Sequence, residues 1–426
     1  MLAPPLAPVT GALLTALALN LHYPLFRRPL LEGPLTSRPV LGLLNPLVGA
    51  AVRMSLSAQG VPSPSRSERY GSGVIDIFEP ADGGTPHARP AVLYFHGGAF
   101  IAGHRSFGAG TCSWLASKGS VALSASYRRT GRGTGVAGCI EDAWAALRWT
   151  RANADRLGID PNKVTVAGDS AGGLLALALA TGLQPSSEAP VDLAELPAAA
   201  VVGWAVSSLD AAAYYPRRAA DGRSWEGTPA GRTFAVPNAF VEERHGGSAE
   251  ATQARLREVL AGGLLCFGRR AFGLLPSPKR YDADLAARVS PSVLAGRPGL
   301  PPMLLLSSSD DQIVPCAQTE RFAEAAHAAK NDVAALIFEG ETHGSGGWFC
   351  EAGREAVLEF MQHNKLLPEQ PAGSGSGVSG TDPTDAIGKT MRALNLAPPT
   401  DFPGGRFRMA AHRRATLRLR PLRGEV

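Results

Sequence analysis

The sequence predicts an α/β fold: a mostly parallel central sheet flanked by helices, with a lid or cap insertion. Three observations predict it. From Gly73 to about Lys365, short β-rich runs alternate with helical periods, the pattern of a parallel sheet covered by helices. One helical period, Ala171 to Thr181, is apolar all round, as a helix enclosed between other elements must be. Between Ser207 and Leu300 the alternation stops, giving way to a Gly/Pro-broken stretch and an amphipathic run, Ala251 to Leu275. Insertions over the carboxyl ends of parallel strands are where such folds build substrate pockets, so this segment is expected to be a lid.

Taken in order, the expected strands are Gly73 to Glu79, Ala91 to Phe95, Ser120 to Tyr127, Val164 to Ala167, Ala200 to Val206, Met303 to Ser307 and Val333 to Phe338. Each is a short run rich in apolar and β-branched residues between turn formers. Helical spacing covers Val136 to Leu157, Ala171 to Thr181, Cys316 to Lys330 and Gly353 to Lys365. The expected domain spans residues 70–367, with the lid at about 207–300. Ahead of it lies an apolar segment, 1–69. Its first 26 residues carry no charge, and Pro4, Pro5, Pro8 and Pro24 confine any helix to about 9–23. A spanning helix needs roughly 20 apolar residues, and a signal peptide wants a basic start that is missing here. Arg27 and Arg28 follow the segment as they would follow an anchor. Anchor, targeting segment and apolar cap helix all stay open. The compartment follows from that choice: the cytoplasm, or the surface of an ER or Golgi membrane. Residues 368–426 read as a Gly/Ser/Pro-rich linker and a basic tail.

Of the 426 residues 45% are apolar and 19% charged, ordinary globular composition, which excludes wholesale disorder. The net charge of +5 comes from the tail, where seven Arg meet two acids after residue 400. The folded part is neutral and offers no basic stripe, so no nucleic-acid partner is expected. The tail arginines read as a solvated tail. Five cysteines, at 112, 139, 266, 316 and 350, form neither C-x-x-C pairs nor an even framework and read as reduced thiols. The nine histidines lack ligand spacing, so neither a metal nor a cofactor is expected.

Gly168-Asp169-Ser170-Ala171-Gly172 matches G-x-S-x-G, a weak signal alone in a chain with 49 glycines. Its setting strengthens it. A buried strand precedes and a buried helix follows, the arrangement that strains a serine backbone and projects its hydroxyl. Upstream, His96-Gly97-Gly98-Ala99 ends the strand at Phe95, where flexible residues turn backbone N–H groups toward a developing oxyanion. The expected donors are the amides of Gly97, Gly98, Ala99 and Ala171. Ala99 replaces a glycine, but its N–H is unaltered.

A serine hydroxyl needs a base, and the base an acid to fix its tautomer. Asp310-Asp311-Gln-Ile-Val-Pro follows the strand at 303–307, and Glu341-Thr-His343 follows the next. Parallel strands release all three segments at one edge. The expected catalytic residues are Ser170, Asp311 and His343, with Asp311 preferred because D-x-x-V-P places it at the usual position before a helix; Asp310 is the alternative. The chain order Ser, Asp, His is that of α/β-hydrolases. Glu141 and Asp142 read as helix-start acids, Arg217 and Arg218 as exposed charge, and the remaining histidines as structural. Trp348 either lines the pocket or packs.

Together, HGGAF, GDSAGG, DDQIVP and ETHG resemble the hormone-sensitive-lipase-like branch of the α/β-hydrolases over residues 70 to 365. Within it, FHGGAFIAGHRSFGAG, LPPMLLLSSSDDQIVP and ALIFEGETH look most like plant-type isoprenylcysteine methylesterases, which are membrane-associated and remove the methyl ester from prenylated C-terminal cysteines. The resemblance implies a serine carboxylesterase working through an acyl-enzyme, with a small or lipid-like ester as substrate and a membrane surface as a candidate partner. Two alternatives stand beside it. One is an amidase or formamidase; the other is a non-catalytic receptor, because gibberellin receptors resemble this branch and bind a ligand after losing the catalytic histidine. Here His343 is present. Acyl preference and oligomeric state are not legible.

Overall fold

The computed structural model describes residues 49–367, apart from 82–87, 99, 101–102, 130–134, 188, 210–282, 309–310, 312–313, 339–342, 345–347 and 349. The amphipathic run 251–275, residues 9–23 and the basic tail therefore lie outside the described residues. No helix among those described is long and apolar enough to cross a membrane.

Eight strands form one sheet in the order β1-β2-β4-β3-β5-β6-β7-β8. They are β1 (Arg66–Tyr70), β2 (Gly73–Phe78), β3 (Arg89–Phe95), β4 (Val121–Ala125), β5 (Ile159–Asp169), β6 (Ala199–Gly203), β7 (Met303–Ser308) and β8 (Val333–Phe338). β2 runs antiparallel to both neighbours, and all other pairs are parallel. The helices among the described residues that pack on the sheet include α1 (Ala109–Ser117), α2 (Val136–Ala152), α3 (Ala171–Thr181), α4 (Ala317–Ala328) and α5 (Glu351–His363).

Strand alternation divides the core between the two faces. Along β3, Ala91, Leu93 and Phe95 join one apolar cluster with residues of α2, α3 and α4; Val92 and Tyr94 join a second with residues of α1 and α5. Every residue of α3 is buried, so this helix has no solvent face. Its length, Ala171 to Thr181, is the expected one, and Gly182 ends it in the left-handed conformation.

Several elements depart from expectation. β1 was not anticipated: Arg66, Ser67, Glu68 and Arg69 offer little apolar alternation because this is an edge strand, and it starts ahead of residue 70. The helix α1 was missed because AGTCSWLAS, buried almost throughout, lacks a polar face to give it a period. The predicted helix Val136 to Leu157 is interrupted at Asn153, with a separate turn at Ala154–Leu157. β6 stops at Gly203, short of the predicted Val206, because Trp204 turns to φ 46°. Residues 49–58 form a further helix that seals the α1/α5 face, with Leu56 buried and the Ser106 hydroxyl donating to the Gly49 carbonyl at 3.1 Å.

The insertion leaves after β6 and returns before β7, and its two ends meet. Ser292 N–H donates to the Ser207 carbonyl at 2.9 Å, and Leu209 N–H to the Ser290 hydroxyl at 2.8 Å. Both ends thus stand beside the carboxyl end of β6.

Candidate active site

Parallel register brings five strand ends to one edge: Phe95 pairs with Gly168, Asp169 with Gly203, Gly203 with Leu306, and Ser308 with Phe338. The loops leaving that edge carry the residues picked out from the sequence.

Ser170 is the single residue between β5 and α3, with φ 54° and ψ −115°. A non-glycine residue there is strained, and the surroundings hold it: its N–H donates to the Gly203 carbonyl at 2.8 Å, and its carbonyl accepts from Leu174 N–H at 3.1 Å. The tight turn depends on glycine. A Cβ on Gly168 would strike the Gly172 carbonyl, and one on Gly172 would strike the Phe95 carbonyl. The G-x-S-x-G spacing is thus a packing requirement as well as a motif. Ala171 opens α3, where an N–H has no intrahelical acceptor, so its amide points out of the helix start beside Ser170.

The loop after β3 lies against this turn. A Cβ at Gly97 would stand 3.2 Å from the Asp169 carbonyl and 3.4 Å from Ser170 Cβ. Gly98 has φ 129°, and Ala99 lies outside the described residues. His96, read from sequence as structural, turns out to organise this loop. Its Nδ1 lies 2.7 Å from the Gly97 carbonyl, and its ring stacks on Tyr127 at 4.6 Å, whose hydroxyl donates to the His96 carbonyl at 2.7 Å. Burial pushes the imidazole down to about 4, so it is neutral, with the Nδ1 proton shared with Gly97.

Across the edge, Asp311 and His343 form a pair, with His343 Nδ1 2.7 Å from Asp311 Oδ2. The other carboxylate oxygen accepts from Val314 N–H at 2.7 Å, which locks the acid to the start of the α4 segment. The carboxylate is fully buried and the imidazole 14% exposed, the arrangement of an orienting acid beneath an accessible base. Asp310 lies outside the described residues. Trp204 meets the His343 ring edge-on at 6.4 Å and is itself held by an indole N–H bond to the Ser308 hydroxyl at 2.7 Å.

Two further residues belong to this site: Trp348, expected either to line the pocket or to pack, and Asp169, for which no role was expected. Asp169 is buried beneath Ser170, accepting from the Tyr94 hydroxyl and, at 2.6 Å, from the Trp348 indole. Burial raises its carboxyl to about 6, while Tyr94, Trp348 and the nearby His343 pull it back. Trp348 is buried, so of its two sequence readings it packs. The signal was available in the sequence: an acid next to the serine and a tryptophan five residues past the histidine. Among the remaining candidates, Glu141 and Asp142 do not start a helix, because α2 begins at Val136 and has no acid in its first turn; instead Arg128 binds Asp142, through its backbone N–H at 2.7 Å, and reaches Glu141 at 3.5 Å; Arg217 and Arg218 lie outside the described residues. Cys112 and Cys139 are buried free thiols, while Cys316 and Cys350 are partly exposed.

Comparison with known proteins agrees with this geometry. Residues 92–226 match a family described by the alpha/beta hydrolase fold. The chain is 39% identical over 103 residues, 24% of its own length and 32% of the other's, to esterase LipI of Mycobacterium tuberculosis. It is 24% identical over 269 residues, 63% of its length and 54% of the other's, to a probable isoprenylcysteine alpha-carbonyl methylesterase of Oryza sativa. Among solved structures it is similar to an esterase of Thermogutta terrifontis with butyrate bound, at 27% identity and a TM-score of 0.50, over 73% of this chain and 98% of that one. The matched stretches span about a third to two fifths of the first curated relatives' lengths. Strand order, the strained serine turn and these matches together give the conclusion that the chain has the α/β-hydrolase fold and resembles its hormone-sensitive-lipase-like branch.

Proposed function

We propose that the protein is a serine carboxylesterase in which Ser170 is the nucleophile, His343 the general base and Asp311 the acid that holds the imidazole. The observation that carries this reading is the Asp311–His343 pair standing at the same sheet edge as a serine in a strained strand-to-helix turn. Asp311 on Nδ1 leaves Nε2 free to accept the Ser170 proton as Oγ attacks the ester carbonyl. The candidate donors to the oxyanion are the amides of Gly97, Gly98, Ala99 and Ala171, and loss of one such donor typically costs about 3 to 4 kcal/mol of transition-state stabilisation. His343 returns the proton to the departing alkoxide, the alcohol leaves, and the acyl group stays on Ser170. Water, deprotonated by the same imidazole, then releases the acid and restores the serine.

The substrate class is a small carboxylic ester, in keeping with the esterases among its relatives. Within that class we favour a prenylcysteine methyl ester: the matches to plant methylesterases run over 63% of the chain, further than those to the mycobacterial esterases. A ligand-binding role without catalysis is disfavoured by the intact acid–base pair.

The test is hydrolysis of p-nitrophenyl esters from acetyl to dodecanoyl, beside a prenylcysteine methyl ester. Ser170→Ala is expected to lower kcat by at least about 10⁴-fold. Undiminished turnover in that variant, or a wild type that neither hydrolyses any ester nor reacts with a fluorophosphonate, would sink the reading. Preference for the prenylated ester would select the methylesterase over a general carboxylesterase.

A further inference from the structure

The two halves of the site come from distant parts of the chain, and one buried contact joins them. Asp169 is the last residue of β5 and precedes Ser170; Trp348 lies in the segment between β8 and α5, five residues after His343. The Trp348 indole N–H donates to Asp169 Oδ1 at 2.6 Å. Both side chains are buried, Trp348 to 1% exposure.

The contact is built on every side. The Tyr94 hydroxyl holds the second carboxylate oxygen, fixing the plane of the Asp169 carboxyl. Tyr94 and Trp348 also meet edge-on, with ring centroids 6.3 Å apart, so the indole is oriented by its neighbour as well as by its bond. Position 203 has to be glycine: a Cβ there would strike Asp169 Oδ1 and come within 3.3 Å of the indole nitrogen. That same Gly203 supplies the carbonyl that holds Ser170 N–H. The strained serine turn and the histidine segment thus share one buried anchor.

We propose that Asp169 is a positioning residue whose carboxylate fastens the segment carrying His343 to the turn carrying Ser170, through the Trp348 indole. The proposal rests on the reading of Ser170 and His343 as nucleophile and base. Asp311 fixes the rotation and tautomer of the imidazole, and the tether fixes where the segment bearing it stands relative to the serine. A displacement of about 1 Å between reacting groups costs on the order of 100-fold in rate, so a bond remote from substrate has a large lever here.

The experiment measures kcat and KM for p-nitrophenyl butyrate and the rate of Ser170 labelling by a fluorophosphonate, for wild type, W348F, D169A, D169N and the double variant W348F/D169A, with near-UV circular dichroism as the check on folding. W348F keeps one aromatic ring and loses the donor together with part of the buried ring volume; it is expected to lower kcat and labelling about 10- to 100-fold with KM within about twofold. D169A should be at least as poor, because it also takes the acceptor from the Tyr94 hydroxyl, and the double variant should be no worse than D169A, because both substitutions break the same Trp348–Asp169 bond. D169N retains an oxygen that accepts the indole N–H and should recover to within about fivefold of wild type. Unchanged kcat in W348F, multiplying losses in the double variant, or D169N as poor as D169A would each overturn the tether. If D169A fails to fold, W348F and D169N decide. Failure of the esterase reading is a separate result, a wild type with neither turnover nor labelling.

Discussion

At the scale of single residues, the site relies on polar groups whose charge is set by burial. His96 is the clearest case. Its imidazole is pushed down to about 4 from an ordinary 6.5, chiefly by burial, so the folded protein keeps it neutral where the unfolded chain takes up a proton. Folding stability from this residue is therefore complete above about pH 6.5 and is lost as pH falls toward 4. Denaturant titrations of wild type and His96→Gln across that window should show the wild type losing up to about 3 kcal/mol more than the variant. Parallel profiles would mean that His96 is solvated and does not organise the loop at Gly97. The sequence places His96 at the head of the glycine-rich loop but shows no partner for it; its stacking on Tyr127 and its bond to Gly97 exist only once β3 and β4 are paired. The Asp311–His343 pair was legible because its members follow consecutive strands, and parallel strands end on one edge.

At the scale of elements, the critical contact is backbone against backbone, where α3 crosses the end of β3. Gly172 lets the first turn of the helix lie on the Phe95 and His96 carbonyls. Gly172→Ala must push α3 away from β3, which separates Ser170 from the loop at Gly97. The expected result is a loss of about 1 to 3 kcal/mol in urea unfolding together with a fall in kcat larger than that of any stable surface variant. A variant as stable and active as wild type would show that the two elements are free to slide. The elements that could be read from sequence were those with a period or a continuous apolar run, such as β7 and α3. Those that were missed have neither: β1 is a polar edge, and α1 is buried on all sides with small residues. β5 extends back from the expected start at Val164 through Asp160, Pro161, Asn162 and Lys163, where no apolar run marks a strand.

At the scale of the whole molecule, the sheet separates two apolar layers, and the second of them is closed by chain that precedes the first strand. Leu56 and Val61, each 5% exposed, belong to that layer, and Arg53 reaches the buried Asp76 at 3.9 Å. Deletion through residue 62 should cost about 3 to 5 kcal/mol of stability from the two apolar side chains alone, whereas deletion through residue 48 leaves them in place. Calorimetry of the two truncated proteins checks this, and equal melting temperatures would assign residues 49–61 no part in the core. Ahead of residue 70, helix 49–58 and β1 contribute through packing with distant strands, which no local pattern records.

The order of strands carries a consequence for how the protein is made. From β5 onward each new strand joins the edge left by the one before, β6, then β7, then β8. On the ribosome the serine turn emerges with β5, Asp311 only after β7, and His343 after β8, near the end of the described residues. A nascent chain can thus hold most of its sheet while lacking the proposed base, and on that reading it stays chemically silent until the last strand docks. Reaction with a serine-directed probe would then report completion of folding, and chains halted before residue 333 would be unreactive however much of the earlier sheet they had assembled.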